Sequence, residues 1–317
     1  MTDGTELMGA LDARVERRAR RRDFFKAVGT AAVVGAGGFA FSNAASAQTV
    51  TDADVLNFAL QLEYLEAQFY SFAFFGVGLN AADLTGTGTP GPVTGGRQVP
   101  FSDPVVRQYA REIAQDEIAH VRFLRTALGS AATSQPAINI DGGPNGAFTQ
   151  AARAAGLVGV TGTFDPYAND VNFLLGAFIF EDVGVTAYKG ASPLITNNTF
   201  LDAAAGILAV EAFHAGIVRG ALYARGVQTP TIRTSADAIS NARDAVDGAT
   251  DLDQGVSPVT SQFGTTSNFV PTDANGITFS RTTGQVLNIV YLNRNAVTLG
   301  GFFPAGVNGA IRTSAAN

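Results

Sequence analysis

The chain has no cysteine, no tryptophan, two histidines and two methionines, and only 15% of its 317 residues are charged. Without cysteine there is no disulfide, no thiolate nucleophile and no sulfur-held metal. Any metal must be bound by carboxylate, imidazole, carbonyl or water. Positive charge is scarce as well. Beyond residue 47 there are 14 Lys/Arg, only one of them a lysine (Lys189), against 22 Asp/Glu, a net charge of −8. Scattered arginines on an acidic body form no phosphate-tracking stripe, so no nucleic-acid partner is expected. What the chain does have is apolar substance. At 46% hydrophobic residues it can fold around a sizeable core.

The N-terminus reads as an address. Six arginines between Arg14 and Arg22 precede an apolar run over 27–41, and Ala45 and Ala47 supply the small-x-small pattern of a cleavage site. The run is about 15 residues, short of the roughly 20 needed to cross a bilayer. "RRDFF" with Lys26 resembles the twin-arginine export motif. The expectation is a signal peptide over 1–47 and a mature chain from Gln48 that is periplasmic or secreted, with no membrane span. The twin-arginine route carries folded proteins, often after they have received a metal.

Four long segments then carry helical periodicity, at about 51–75, 104–128, 170–189 and 199–225. Thr51 with Asp54 forms a capping box for the first, and Asp103 with Pro104 opens the second. Asn198 is the expected cap of the fourth. Residues 76–102 read as a long loop or a hairpin, and 129–169 as a central crossover. A C-terminal extension over 227–317 follows the bundle of 48–226, with short helices expected near 236–246 and 283–292. "DGATDLDQG" (Asp247 to Gly255) reads as a polar loop rather than a calcium site, because it lacks the closing glutamate.

Beyond residue 47 there are six glutamates, Glu63, Glu66, Glu112, Glu117, Glu181 and Glu211, and all six fall in the four long helices. Both histidines follow a glutamate at the same offset, as Glu117/His120 and Glu211/His214. Three residues is about one turn, so each pair shares a helix face. The other two helices offer Glu63 and Glu181, each followed seven residues later by a tyrosine, Tyr70 and Tyr188. Four carboxylates and two imidazoles in an apolar bundle are too costly as bare charges. Two divalent cations would neutralise them, and this ligand set suits iron or manganese, with zinc a further option.

"NFALQLEYLEAQFY", "EIAQDEIAHVRFLRTALG", "FEDVGVTAYKGA" and "VEAFHAGIVRGALY" together resemble the ferritin-like superfamily, in its exported branch that includes desiccation-related proteins. "SRTTGQVLNIVY" and "GGFFPAGVNG" extend the likeness toward the C-terminus. The resemblance implies an all-α ferritin-like four-helix bundle with a long central crossover and a C-terminal extension carrying a short fifth helix. It also implies metal ligation by Glu63, Glu117, His120, Glu181, Glu211 and His214. The function expected from it is redox chemistry of two Fe or Mn ions with O2 or peroxide, of ferroxidase, peroxidase or catalase type. The alternative is a non-catalytic stress protein in which the metal is structural.

Long insertions argue against a ferritin-type cage, and the apolar helix at 170–189 could contribute to a homodimer. Glu63 is preferred over Glu66 as ligand because of its tyrosine partner. Glu66 and Glu112 are then solvated charges or supporting groups. Tyr70 and Tyr188 either bind the ligand carboxylates, act in redox or simply pack. Asp116 either accepts the outer N–H of His214 or lies on the surface.

Overall fold

The computed structural model describes residues 50–262 and 264–317, so the signal-peptide expectation for 1–47 lies outside the described residues. Val50 to Asn317 forms a single compact unit. Its four long helices are α1 (Asp52–Phe75), α2 (Pro104–Leu128), α4 (Asp170–Ala191) and α5 (Asn198–Arg225). α1 packs along α2 and α4 along α5, and contacts between α1 and α4 and between α2 and α5 close the ring. The caps explain most of the starts. Thr51 and Asp54 make the reciprocal capping box, and the Asp103 carboxylate accepts from the Val105 and Val106 amides. For α5 the cap is Asn197, one residue before the position expected. Its side chain accepts from Thr199 and Phe200, leaving Asn198 inside the first turn.

The four helices are not equally buried. Eighteen of the 24 residues of α1 and eighteen of the 22 of α4 are buried, against nine of 25 in α2 and eight of 28 in α5. α1 and α4 therefore need cover on the faces turned away from the bundle. On α1 that face carries Asn57, Gln61, Tyr64 and Gln68, spaced at three and four residues. They hydrogen-bond to Ala131, Thr133, Ser134 and Gln135 of the crossover, so the crossover runs along α1 as a polar seam. Residues 76–102 do not close on themselves as a hairpin. Strand β1 (Val93–Gly95) instead pairs in parallel with β2 (Ile138–Ile140) of the crossover lying alongside. A short helix α3 (Ala147–Ala154) inserts Phe148 among Phe69, Phe180 and Phe302, with ring centroids 5.2–5.6 Å away.

The cover of α4 is the C-terminal extension, which carries α6 (Thr231–Asp247) and α7 (Thr283–Val290) with a two-stranded ribbon between them, β3 (Val259–Ser261) and β4 (Gly264–Thr266). Both helices expected in the extension are therefore present, and α6 is longer than its expected span of 236–246. It crosses α4 at Gly190, where a Cβ would lie 1.9 Å from the Arg281 carbonyl oxygen. It is locked there by a buried ion cluster. Asp182 of α4 takes Arg219 of α5 at 2.8 Å and Arg243 of α6 at 3.1 Å. Asp253 takes Arg243 at 2.8 Å and Arg281 at 2.7 Å, and Arg281 also meets Asp247 at 2.5 Å. Asp247, the last residue of α6, and Asp253, in the polar loop after it, are thus both buried. Three arginines neutralise them and Asp182, in a cluster at most 3% exposed.

The apolar helix proposed for a dimer contact is also spent inside the chain. α4, continued to Leu194, is long and apolar enough to cross a membrane, but 89% of its most apolar window is buried in this protein. α5 passes the same test with 33% buried, and Phe213 on its outer face is 72% exposed.

Replacing Arg281 by methionine leaves Asp247 without its charge partner and Asp253 with one fewer. The expected cost is about 3–5 kcal/mol, the price of an uncompensated buried charge. Urea unfolding of wild type and Arg281→Met measures it; a midpoint unchanged within error would refute the role given to the cluster.

Candidate metal centre

All six residues singled out in the sequence meet at mid-bundle. Glu63, Glu117, Glu181 and Glu211 are at most 1% exposed, His214 2% and His120 8%. His120 Nδ1 lies 3.2 Å from Glu63 Oε2 and 3.5 Å from Glu117 Oε2. His214 Nδ1 lies 3.0 Å from Glu117 Oε1 and 3.5 Å from Glu181 Oε2. Glu117 thus stands between two imidazoles whose ring centroids are 6.4 Å apart. Donor atoms of Glu63, Glu117, His120 and Glu211 lie within 4.8 Å of one another, as do those of Glu117, Glu181 and His214.

These groups aim at common points more than at each other. Both oxygens of Glu117, both of Glu211, Oε2 of Glu181 and Nδ1 of His214 are sealed from solvent without a hydrogen-bond partner. His214 Nδ1 and Glu117 Oε1 are close but not aligned as donor and acceptor. Orphaned buried polar atoms are costly, and a cation about 2.0–2.2 Å from each would satisfy them together. The backbone makes room for this. A Cβ on Gly184, one turn after Glu181, would lie 2.1 Å from Glu211 Oε2, so only glycine lets that carboxylate lie against α4. The residues present therefore fit a metal. Gly184 was not singled out in the sequence, although glycine three residues after a buried glutamate, in mid-helix, was a visible signal.

The tyrosines act across the bundle. Tyr70 of α1 donates to Glu181 of α4, and Tyr188 of α4 donates to Glu63 of α1. The mirrored Glu-x6-Tyr spacing is thus a pair of reciprocal braces, each fixing one oxygen of a candidate ligand on the opposite helix. Burial and the neighbouring carboxylates push both phenols well above their ordinary range, so they remain donors. Asp116 reaches His214 Nε2 at 3.2 Å. A carboxylate can only accept, so the proton sits on Nε2 and Nδ1 is left for the centre. The matching position before Glu211 is Val210, so no equivalent carboxylate braces His120 from α5. The two halves are unequal in this respect. Glu112 is exposed, as expected. Glu66 is not a solvated charge: it is buried, because Glu63, Glu66 and Tyr70 share the inward face of α1.

Protons stand in for metal in the bare centre. Burial alone would lower both imidazoles, but Glu63 and Glu117 push His120 up to about 11, and Glu181 and Glu117 push His214 up to about 12. Burial would raise Glu117, yet the two imidazoles beside it hold it below the usual carboxylate range. Glu63 is raised to about 7 by burial and then by the Glu117 charge.

Both histidines are therefore protonated at pH 7 in the metal-free protein, and a cation must displace those protons. Their contribution to metal-free stability is full below pH 6.5 and fades as pH climbs toward 11. Metal affinity should accordingly rise with pH between 6 and 9, with about two or more protons released per chain loaded. Titration calorimetry in buffers of different ionisation enthalpy counts them. Gly184→Ala should weaken metal binding by about 10–100-fold while circular dichroism shows the helix content intact, since alanine favours a helix by about 1 kcal/mol over glycine.

The comparisons with known proteins agree with this geometry. The ferritin-like domain family matches residues 51–224. A ferritin-like catalase of Nesocodon mauritianus is 30% identical over 270 residues, covering 82% of this chain and 84% of that protein. A desiccation-related protein of Craterostigma plantagineum is 32% identical over 246 residues, covering 75% of this chain and 76% of that one. No solved structure matches significantly. With the four helices, the buried carboxylate and histidine centre and the matched span in agreement, the chain belongs to the ferritin-like domain family.

Proposed function

We propose that this chain is an exported di-metal carboxylate protein that removes hydrogen peroxide by disproportionation, two H2O2 yielding two H2O and one O2. The observation that carries the reading is the set of sealed, unpartnered donor atoms on Glu117, Glu181, Glu211 and His214. Glu63, Glu117, His120 and Glu211 would hold one ion, and Glu117, Glu181 and His214 the other. Bound iron or manganese would supply the change of oxidation state that peroxide or dioxygen chemistry requires. The protein's own work is positional. Tyr70 and Tyr188 each hold one carboxylate oxygen of Glu181 and Glu63. Asp116 keeps the proton of His214 on its outer nitrogen. The near-complete burial of the four glutamates keeps bulk water away from the centre.

Peroxide is favoured over dioxygen as substrate by the catalase of Nesocodon mauritianus, which this chain matches over most of both lengths. The desiccation-related relative supports a second reading, a stress protein whose metal braces the bundle without turnover. Export by the twin-arginine route rests on "RRDFF" and the small residues before Gln48.

The test is made on the exported protein, whose N-terminal sequence should begin at Gln48. Elemental analysis should find about two Fe or Mn per chain, and a peroxide assay should show O2 release that Glu211→Ala removes. A metal-free wild-type protein would refute the metal reading. Metal without O2 release, together with a lower melting temperature in Glu211→Ala, would favour the structural alternative.

A further inference from the structure

Glu66 stands apart from the six. It shares the inward face of α1 with Glu63 three residues before it and Tyr70 four residues after it. It is 6% exposed and makes none of the hydrogen bonds that commit Glu63 to Tyr188 and His120. The free oxygens of Glu117, Glu181 and Glu211 are sealed from solvent, but those of Glu66 are not among the sealed atoms. Asp116 is more exposed, yet its carboxylate is engaged with His214. Among the described residues, Glu66 is thus the one carboxylate at this centre that is neither committed nor closed off.

A divalent cation cannot enter such a bundle fully hydrated, nor shed all its water at once in apolar surroundings. A carboxylate at the boundary can replace water stepwise and pass the ion inward. Resting on the metal reading above, we propose that Glu66 is a transit ligand, meeting a divalent cation from solvent first and delivering it to the sealed donors of Glu117, Glu181 and Glu211. The electrostatic environment agrees. Burial, and then the charges of Glu117, Glu181 and Glu63, hold Glu66 well above the ordinary carboxylate range. Glu66 is also the foremost charge acting on Glu211.

Co(II) added to metal-free mature protein tests this without any turnover, with the rise in visible absorption followed by stopped flow and the end point fixed by elemental analysis. Glu66→Gln keeps the side chain's shape and should load at least about 10-fold more slowly to the same final metal content. Glu66→Asp, which restores the carboxylate, should recover part of the rate. Glu112→Gln removes the same charge from an exposed site and should load like wild type, separating a local ligand from general attraction of cations. Loading of Glu66→Gln at the wild-type rate would overturn the proposal. So would a lower final metal content, since Glu66 would then be a resident ligand. Wild-type protein that takes up no Co(II) would defeat the metal reading and this inference with it.

Discussion

The structure is organised around the cost of placing carboxylates where water cannot reach them. Four glutamates at most 1% exposed, with two imidazoles among them, occupy the middle of an apolar bundle. Such a centre persists only if positive charge is supplied locally, by protons on the histidines in the bare protein or by metal in the loaded one. Much else follows from holding these groups in place. The tyrosines reach across the bundle, Asp116 orients one imidazole, and Gly184 leaves room for the Glu211 carboxylate.

A second set of buried charges lies one residue away in sequence and is solved differently. Glu181 points to the centre, while its neighbour Asp182 joins the cluster with Arg219 and Arg243. Successive residues on a helix project about 100° apart, so one turn of α4 serves both. In the outer cluster three arginines balance three aspartates without any metal, and their hydrogen bonds tie the extension to α4 and α5. The same problem, buried carboxylate, is met by fixed cations on one side of α4 and by a titratable, metal-competent set on the other. The fixed set suits a structural joint, because guanidinium keeps its charge at any ordinary pH.

The four long helices and their faces were legible in the sequence because periodicity and caps are local. Thr51, Asp54, Asp103 and Pro104 act within a turn of their own positions. The repeated Glu-x-x-His spacing was legible for the same reason, since it fixes a shared helix face whatever the helix packs against. The parallel pairing made from within 76–102 and the burial of Asp247 and Asp253 were not legible, because their partners are distant. β1 pairs with a strand about 45 residues later, and Asp247 and Asp253 find arginines on other elements.

By itself the sequence determined which residue types the centre contains, that each Glu/His pair shares a face, and that no sulfur takes part. Only the tertiary structure decided which tyrosine serves which carboxylate, that Asp116 braces His214 while Val210 leaves His120 without a counterpart, and that Glu66 is buried rather than solvated. Each of these is a relation between helices. Spacing along one helix fixes direction about its own axis, and only packing fixes what stands opposite.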